Sequence, residues 1–341
     1  MQPKNLRELL RSAAYLGHTF SIRELSVIDR RTSSEETEEI CGKAEAAGFI
    51  TRTASEQEYR FTHDKIQRIF YLLEPRPELF HYRIASALRK HSNKTNSFIL
   101  AYHYRIGKYF IDSEEKKVYV CGLFRKAGKK VMEITAWKEG YSYFTNALEF
   151  SPPDIWEKAY GTAIELYNLL CESAFLSGEY DDFDRYFDEI ARCAKTVLDT
   201  VTSKQLAIRV RMAENRMQEA FQALLSYLPS LGIPDPRGFP AGRLKREILR
   251  SMRRLMRINT EKIGSLTLSP DRREIARAEL LVSSFSTVYI SAAEHVPFFS
   301  WQMVRAVEHT GFTEISPFCL LCFTFPLLGL GHYEEPYHIG R

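Results

Sequence analysis

No glycine-rich run followed by Lys and then Ser or Thr occurs anywhere in the 341 residues. That pattern is what lets backbone amides and an ammonium group cradle nucleotide phosphates. Ala127-Gly128-Lys129-Lys130 comes nearest, but it lies inside a helical pattern with neither the preceding strand nor the further glycines, so the chain alone is not expected to hydrolyse ATP. The six cysteines, Cys41, Cys121, Cys171, Cys193, Cys319 and Cys322, have no disulfide or zinc spacing. Only the last two are close, and they sit in an apolar run without a companion His. A reducing compartment, and hence a cytoplasmic protein, is expected. A signal peptide is lacking after the polar Met1-Gln2-Pro3-Lys4-Asn5. The longest uncharged run, residues 315–331, is broken by Pro317, Pro326, Gly329 and Gly331 and falls short of the ~20 residues a bilayer span needs. It reads as a buried helix. No transmembrane segment is expected.

Catalytic constellations are missing too. His18, His81, His91, His103, His295 and His309 are scattered, and none stands at triad or metal-ligand spacing from acidic residues. Each reads as a satisfied partner of neighbouring helices. No paired carboxylates or Cys/His arrangement stands out, so the chain is expected not to be an enzyme and to carry no metal or cofactor of its own. A strong charge of either sign is also lacking: the formal net charge is +4, too mild to imply a nucleic-acid partner.

What is present is an ordinary globular composition, 45% hydrophobic and 26% charged, over a length that suggests about two domains at ~150 residues each. Leu6, Leu9, Leu10, Ala13 and Ala14 recur at helical spacing. A short helix fits Ile22 to Ile28. Ser33 and Glu36 form a capping box for a third helix, which carries Ile40, Cys41, Ala44 and Ala47 on one face and ends at Gly48. Two β-like runs, 49–53 and 58–62, follow around a polar turn. Three helices and a hairpin are the order of a winged helix, expected over residues 1–90 together with its trailing helices. The third helix, which would enter a DNA major groove, bears Glu35, Glu36, Glu38, Glu39 and Glu45 against Lys43 alone, so nucleic-acid binding through it is not expected.

The run Phe61-Thr62-His63-Asp64-Lys65-Ile66-Gln67-Arg68-Ile69-Phe70-Tyr71 joins the hairpin to an amphipathic helix. Thr62 can cap that helix, Asp64 suits the positive end of its dipole, and Ile66, Ile69, Phe70 and Leu73 are expected to form its buried stripe. An imidazole at a helix N-terminus can also donate to a phosphate oxygen beside the backbone donors there. The local spacing fits a plain helix start as well as a ligand site.

From about residue 96 the pattern is almost wholly helical. Ala136-Trp137-Lys138-Glu139-Gly140-Tyr141, Ala174-Phe175-Leu176-Ser177-Gly178-Glu179-Tyr180, Ala213-Glu214-Asn215-Arg216 and Gly331-His332-Tyr333-Glu334-Glu335 open similar turns. Near-repeats spaced roughly 35 to 45 residues indicate stacked helix pairs of tetratricopeptide type. The fold class expected is mostly α: a winged helix followed by a tetratricopeptide-like α-solenoid over residues 91–341. Leu231 to Pro240 is the clearest linker. Glu334 to Arg341 reads as the start of a repeat helix that is cut off, because no polar capping helix follows. The helix from Arg243 to Thr260 is the one basic block, with Arg243, Lys245, Arg246, Arg250, Arg253, Arg254 and Arg257 opposite Leu244, Ile248, Met252, Leu255 and Met256. It can bind an anionic surface, membrane or nucleic acid, or simply be solvated.

Taken together, the chain resembles the middle segment of large bacterial multidomain signalling ATPases of the STAND/AAA type, which are often fused to histidine kinase or protein kinase domains. Tyr59 to Gln67 is similar to the family's Phe-x-His-Asp-x-Val-Gln run. His81-Tyr82-Arg83-Ile84-Ala85 resembles a following His-x-x-Ile-Gly segment with Ala85 for Gly. Leu228 to Ile233 resembles a Leu-x-x-Leu-Gly-Ile/Val stretch before a Pro-rich linker. The resemblance implies that His63 and Asp64 sense a nucleotide when an ATPase core is docked, that ATP or ADP belongs to that missing core, and that the protein partners are the core and a kinase-type output domain, in cis or in trans. It implies a non-catalytic regulatory segment coupling a nucleotide switch to the output; a stand-alone tetratricopeptide-type adaptor is the alternative. The core is expected before Met1 and the output domains after Arg341, which makes the chain a fragment, a split-gene product or a remnant. Pro336, where repeats usually carry Ala, and Pro326, which is expected to interrupt a helix, depart from the repeat pattern.

Overall fold

The computed structural model describes residues 4–28, 33–55, 57–91, 96–257, 271–311 and 313–340. Thr260, the expected end of the basic helix, Arg341 and the side chain of His91 lie outside them. The chain divides into two compact units, Met1–Asp154 and Ile155–Arg341.

The first unit begins with α1 (Lys4–Leu16), β1 (Thr19–Ser21), α2 (Ile22–Ile28), α3 (Ser34–Ala46), β2 (Ile50–Arg52) and β3 (Glu58–Phe61). The strands form one antiparallel sheet in the order β1-β3-β2. Strand β1 was not expected. Its three residues carry no alternation worth reading, and it exists only through pairing with β3, in the register Thr19 to Arg60, Phe20 to Tyr59 and Ser21 to Glu58. Helix α3 starts with the predicted capping box: Ser33 Oγ accepts from the Glu36 amide, and Glu36 accepts from the Ser33 amide. Such a cap stabilises a helix by about 1 kcal/mol. Leu9, Leu10, Ala13, Cys41, Ala44, Tyr59 and Phe61 close over one core. Each large apolar side chain so buried contributes roughly 1.5–3 kcal/mol.

Helix α4 (Asp64–Tyr71) follows, then α5 (Pro77–His91), α6 (Ser97–Ile106), α7 (Glu114–Glu133) and α8 (Trp137–Glu149). Helices α5 and α6, and α7 and α8, pack as pairs. Small residues allow the close approach: a Cβ on Gly128 would sit 2.5 Å from the Phe144 ring, and one on Gly140 would sit 2.5 Å from Met132 Sδ.

The second unit holds α9 (Ile155–Lys158), α10 (Tyr160–Ser177), α11 (Tyr180–Cys193), α12 (Val201–Ala213), α13 (Met217–Tyr227), α14 (Ala241–Leu255), α15 (Arg272–Ser291), α16 (Val296–Thr310), α17 (Ser316–Gly329) and α18 (Glu334–Gly340). Two short 3-10 turns lie between α13 and α14: Leu228–Leu231, which ends where the predicted linker begins, and Pro236–Gly238, which lies inside it. Neighbouring helices pack in succession: α10 with α11, α12 with α13, α15 with α16, α16 with α17, and α17 with α18. Leu224, Leu228, Ile248, Leu281, Phe299, Met303 and Phe323 belong to a single buried cluster.

The helix pairs share one turn. Thr135, Gly178, Asn215 and Gly331 all have positive φ, at 60°, 83°, 60° and 84°. The next amide in each case reaches back across the turn: Ala136 to the Val131 carbonyl at 3.0 Å, Glu179 to Ala174 at 2.9 Å, Arg216 to Arg211 at 2.8 Å and His332 to Leu327 at 3.0 Å. This is the helix-ending bond of a Schellman turn, which satisfies a carbonyl left open at the helix C-terminus. These four turns are the ones the sequence pattern picked out. The architecture is mostly α, a small α/β module followed by tetratricopeptide-like stacked helix pairs.

Two features depart from expectation. Pro326 does not interrupt α17 but lies inside it. Nor is that helix buried all round: Cys319, Cys322, Phe323 and Leu327 face the core, whereas Phe318, Leu321, Phe325 and Leu328 are exposed. A helix that is apolar on every face gives no periodicity from which its buried side could be chosen.

Candidate functional site

Strand pairing builds the site around His63. Because β1 runs antiparallel to β3, the start of β1 meets the end of β3, and the Phe61 amide donates to the His18 carbonyl at 2.9 Å. Three residues after Phe61, Asp64 opens α4, and its Oδ1 lies 3.1 Å from His18 Nδ1. Asp64 is almost fully exposed, 93% at the side chain, so the pair is a surface contact worth at most about 1 kcal/mol. His18 is the member the sequence did not bring to this site. Its partner is far away in the chain, and only the sheet register joins them.

His63 itself is the N-cap residue of α4, with φ −146° and ψ 142°. Its carbonyl accepts from the Ile66 amide at 2.9 Å, while its side chain makes no capping hydrogen bond and is exposed. Thr62 is not the cap. Its hydroxyl donates backwards to the carbonyls of Gly48, at 2.8 Å, and Phe49, at 3.1 Å, tying the α4 entry to the β2 end of the hairpin. The first amides of α4 therefore have no side-chain cap from its N-cap residue, and they share their end of the helix with an exposed imidazole.

The rest of the motif anchors the helix. Gln67 Nε2 donates to the Ala14 carbonyl at 3.1 Å, near the C-terminal end of α1. Phe70 is buried and Ile66 partly so, but Ile69, expected in the buried stripe, is 60% exposed, as is Leu72 at 69%. The face packed on α1 instead runs through Ile66, Gln67, Phe70 and Tyr71. Tyr71 stacks on Tyr15 with ring centroids 4.1 Å apart, and its hydroxyl lies 3.0 Å from His81 Nε2.

His81 in turn meets His103, Nδ1 to Nδ1 at 2.7 Å, and both rings are buried. Burial pushes both imidazoles below their ordinary range, and for His103 the neighbouring His81 adds to the effect. Both are therefore neutral at physiological pH. One ring must donate and the other accept, so Tyr71, His81 and His103 form a directional hydrogen-bonded chain from α4 through α5 to α6. Among the described residues no group of three or more His, Cys, Asp or Glu could hold a metal ion. The described helices include none long and apolar enough to cross a membrane.

The basic block lies elsewhere, on α14, within the second unit. Within that unit the fold divides the block. Arg250 pairs with Glu247 at 2.8 Å, and Arg254 holds Glu308 of α16 through two contacts at 2.8 and 3.1 Å. Arg246, Arg253 and Arg257 are exposed, and Arg243 lies over the Phe239 ring at 5.2 Å.

No family model matches the chain. Over 96% of its length the chain is 22% identical to the peroxide stress-activated histidine kinase mak3 of Schizosaccharomyces pombe, and the match takes in 15% of that protein. The chain thus spans a small part of this relative's length. Among solved structures it is similar to a Signal Transduction ATPase with Numerous Domains (STAND) protein with a tetratricopeptide repeat sensor from Pyrococcus horikoshii, with 11% identity over 99% of this chain and 56% of that one and a TM-score of 0.32.

Proposed function

We propose that the chain is a non-catalytic regulatory segment that couples a nucleotide-bound switch to a kinase-type output, with the α/β module acting as a winged helix. The observation that carries this reading is the wiring of α4. At its start an exposed imidazole, His63, stands at an N-terminus without a side-chain cap, where a phosphate oxygen would be stabilised by backbone donors and by the helix dipole. At its other end Tyr71 is hydrogen-bonded into the His81–His103 pair of the first stacked helices. A displacement of α4 on engaging a nucleotide would have to break or carry along that buried chain, so the array would register it.

Ile69 and Leu72 give the exposed face of α4 two apolar side chains beside Lys65 and Arg68, a surface suited to a protein neighbour that presents the nucleotide. The relative named as a histidine kinase supports the kinase-type output. In this reading ATP or ADP belongs to an ATPase core in cis or in trans, and the helix pairs serve protein contact. The test replaces His63 with Ala in a protein that holds the core and an output domain. Nucleotide-dependent output should change while the melting temperature stays put; output that follows nucleotide as before would refute the sensor role.

A further inference from the structure

The second unit contains a cavity of about 430 Å³ between α14 and α16, a volume within the range of small-molecule sites. Its walls include Arg243 and Arg254 of α14 and Trp301, Arg305 and Glu308 of α16. The charges on these walls are not balanced. Glu308 is engaged by Arg254 through two contacts, and Glu247, which also lines the cavity, is engaged by Arg250 at 2.8 Å.

The other two guanidinium groups are held by aromatic faces. Phe239 and Trp301 pack with centroids 5.4 Å apart; Arg243 lies over the first ring at 5.2 Å and Arg305 over the second at 5.8 Å. A cation resting on a ring keeps its full charge and its outward N–H donors, whereas one paired with a carboxylate has spent them. Two such guanidiniums on one cavity match a dianion with several acceptor oxygens.

We propose that this cavity binds a phosphate group, free or carried by a small phosphomonoester, between Arg243 and Arg305. Arg254 is a positioning residue here, since it neutralises Glu308 and so keeps that carboxylate from repelling the anion. The site is independent of His63 and of the nucleotide reading.

The experiment is isothermal titration calorimetry of the full chain with inorganic phosphate and with glycerol 2-phosphate at one fixed ionic strength. Saturable binding is expected, and Arg243→Ala or Arg305→Ala should each weaken it at least tenfold. Arg253→Ala, on the same helix but outside the cavity, should change it less than twofold. Tighter binding of the ester points to an organic phosphate as the natural ligand, and equal binding to free phosphate. Arg243 is exposed, so its variant keeps the fold even where Arg305→Ala does not, and a melting curve verifies this. Absence of saturable binding overturns the proposal. So does an equal loss in Arg253→Ala and Arg243→Ala, which would mean a diffuse field along the helix rather than a site.

Discussion

His81 and His103 face each other across α5 and α6 with their Nδ1 atoms 2.7 Å apart, and neither ring is open to solvent. Burial lowers the proton affinity of both. In the unfolded chain each titrates near ~6.5. Below that value the unfolded state takes up protons that the folded state refuses, so stability is present at neutral pH and declines as pH falls. Urea melts of the wild type should lose roughly 1–2 kcal/mol more between pH 7 and pH 5 than melts of His103→Leu. Parallel losses would mean that the pair is hydrated and titrates normally.

The turn after α7 holds a threonine where its counterparts have Gly178, Asn215 and Gly331. A β-branched residue at φ 60° is strained, at a cost of order 1 kcal/mol. Thr135→Gly should therefore stabilise the first unit by about 0.5–1 kcal/mol in chemical denaturation, even though it removes a side chain. A lower midpoint would show that Thr135 contributes contacts that outweigh the strain.

Helix α17 should tolerate charge on one face only. Leu321→Glu, at an exposed position, is expected to shift stability by no more than ~0.5 kcal/mol. Phe323→Glu, at a fully buried one, should cost more than about 3 kcal/mol or prevent folding. Circular-dichroism melts of the two variants decide this, and similar behaviour would refute the assigned orientation.

Much of this architecture could be read in advance because it is written locally. The α3 capping box, the hairpin and the four shared turns each rest on residues a few positions apart. The features that escaped depend on tertiary contact. His18 reaches Asp64 only through the β1–β3 register. Thr62 precedes the cap position, which His63 takes, and its hydroxyl donates to the carbonyls of Gly48 and Phe49. Ile69 sits one position from Phe70, and periodicity over an eight-residue helix cannot separate their faces until α1 is in place. The His81–His103 pair links two helices whose own patterns are complete without it. The basic block of α14 was legible as a charge pattern, but the Arg254–Glu308 pair and the cavity depend on α16.

The central claim is that His63 acts on a ligand and not on the fold. The most direct measurement compares nucleotide-dependent output and melting temperature for wild type and His63→Ala in a polypeptide that joins this chain to an ATPase core and an output domain. Because the side chain is exposed and makes no capping bond, the melting temperature should not move, and the dependence on ATP against ADP should be lost or shifted. A variant that switches with nucleotide as the wild type does, or one that fails by unfolding, would contradict the account.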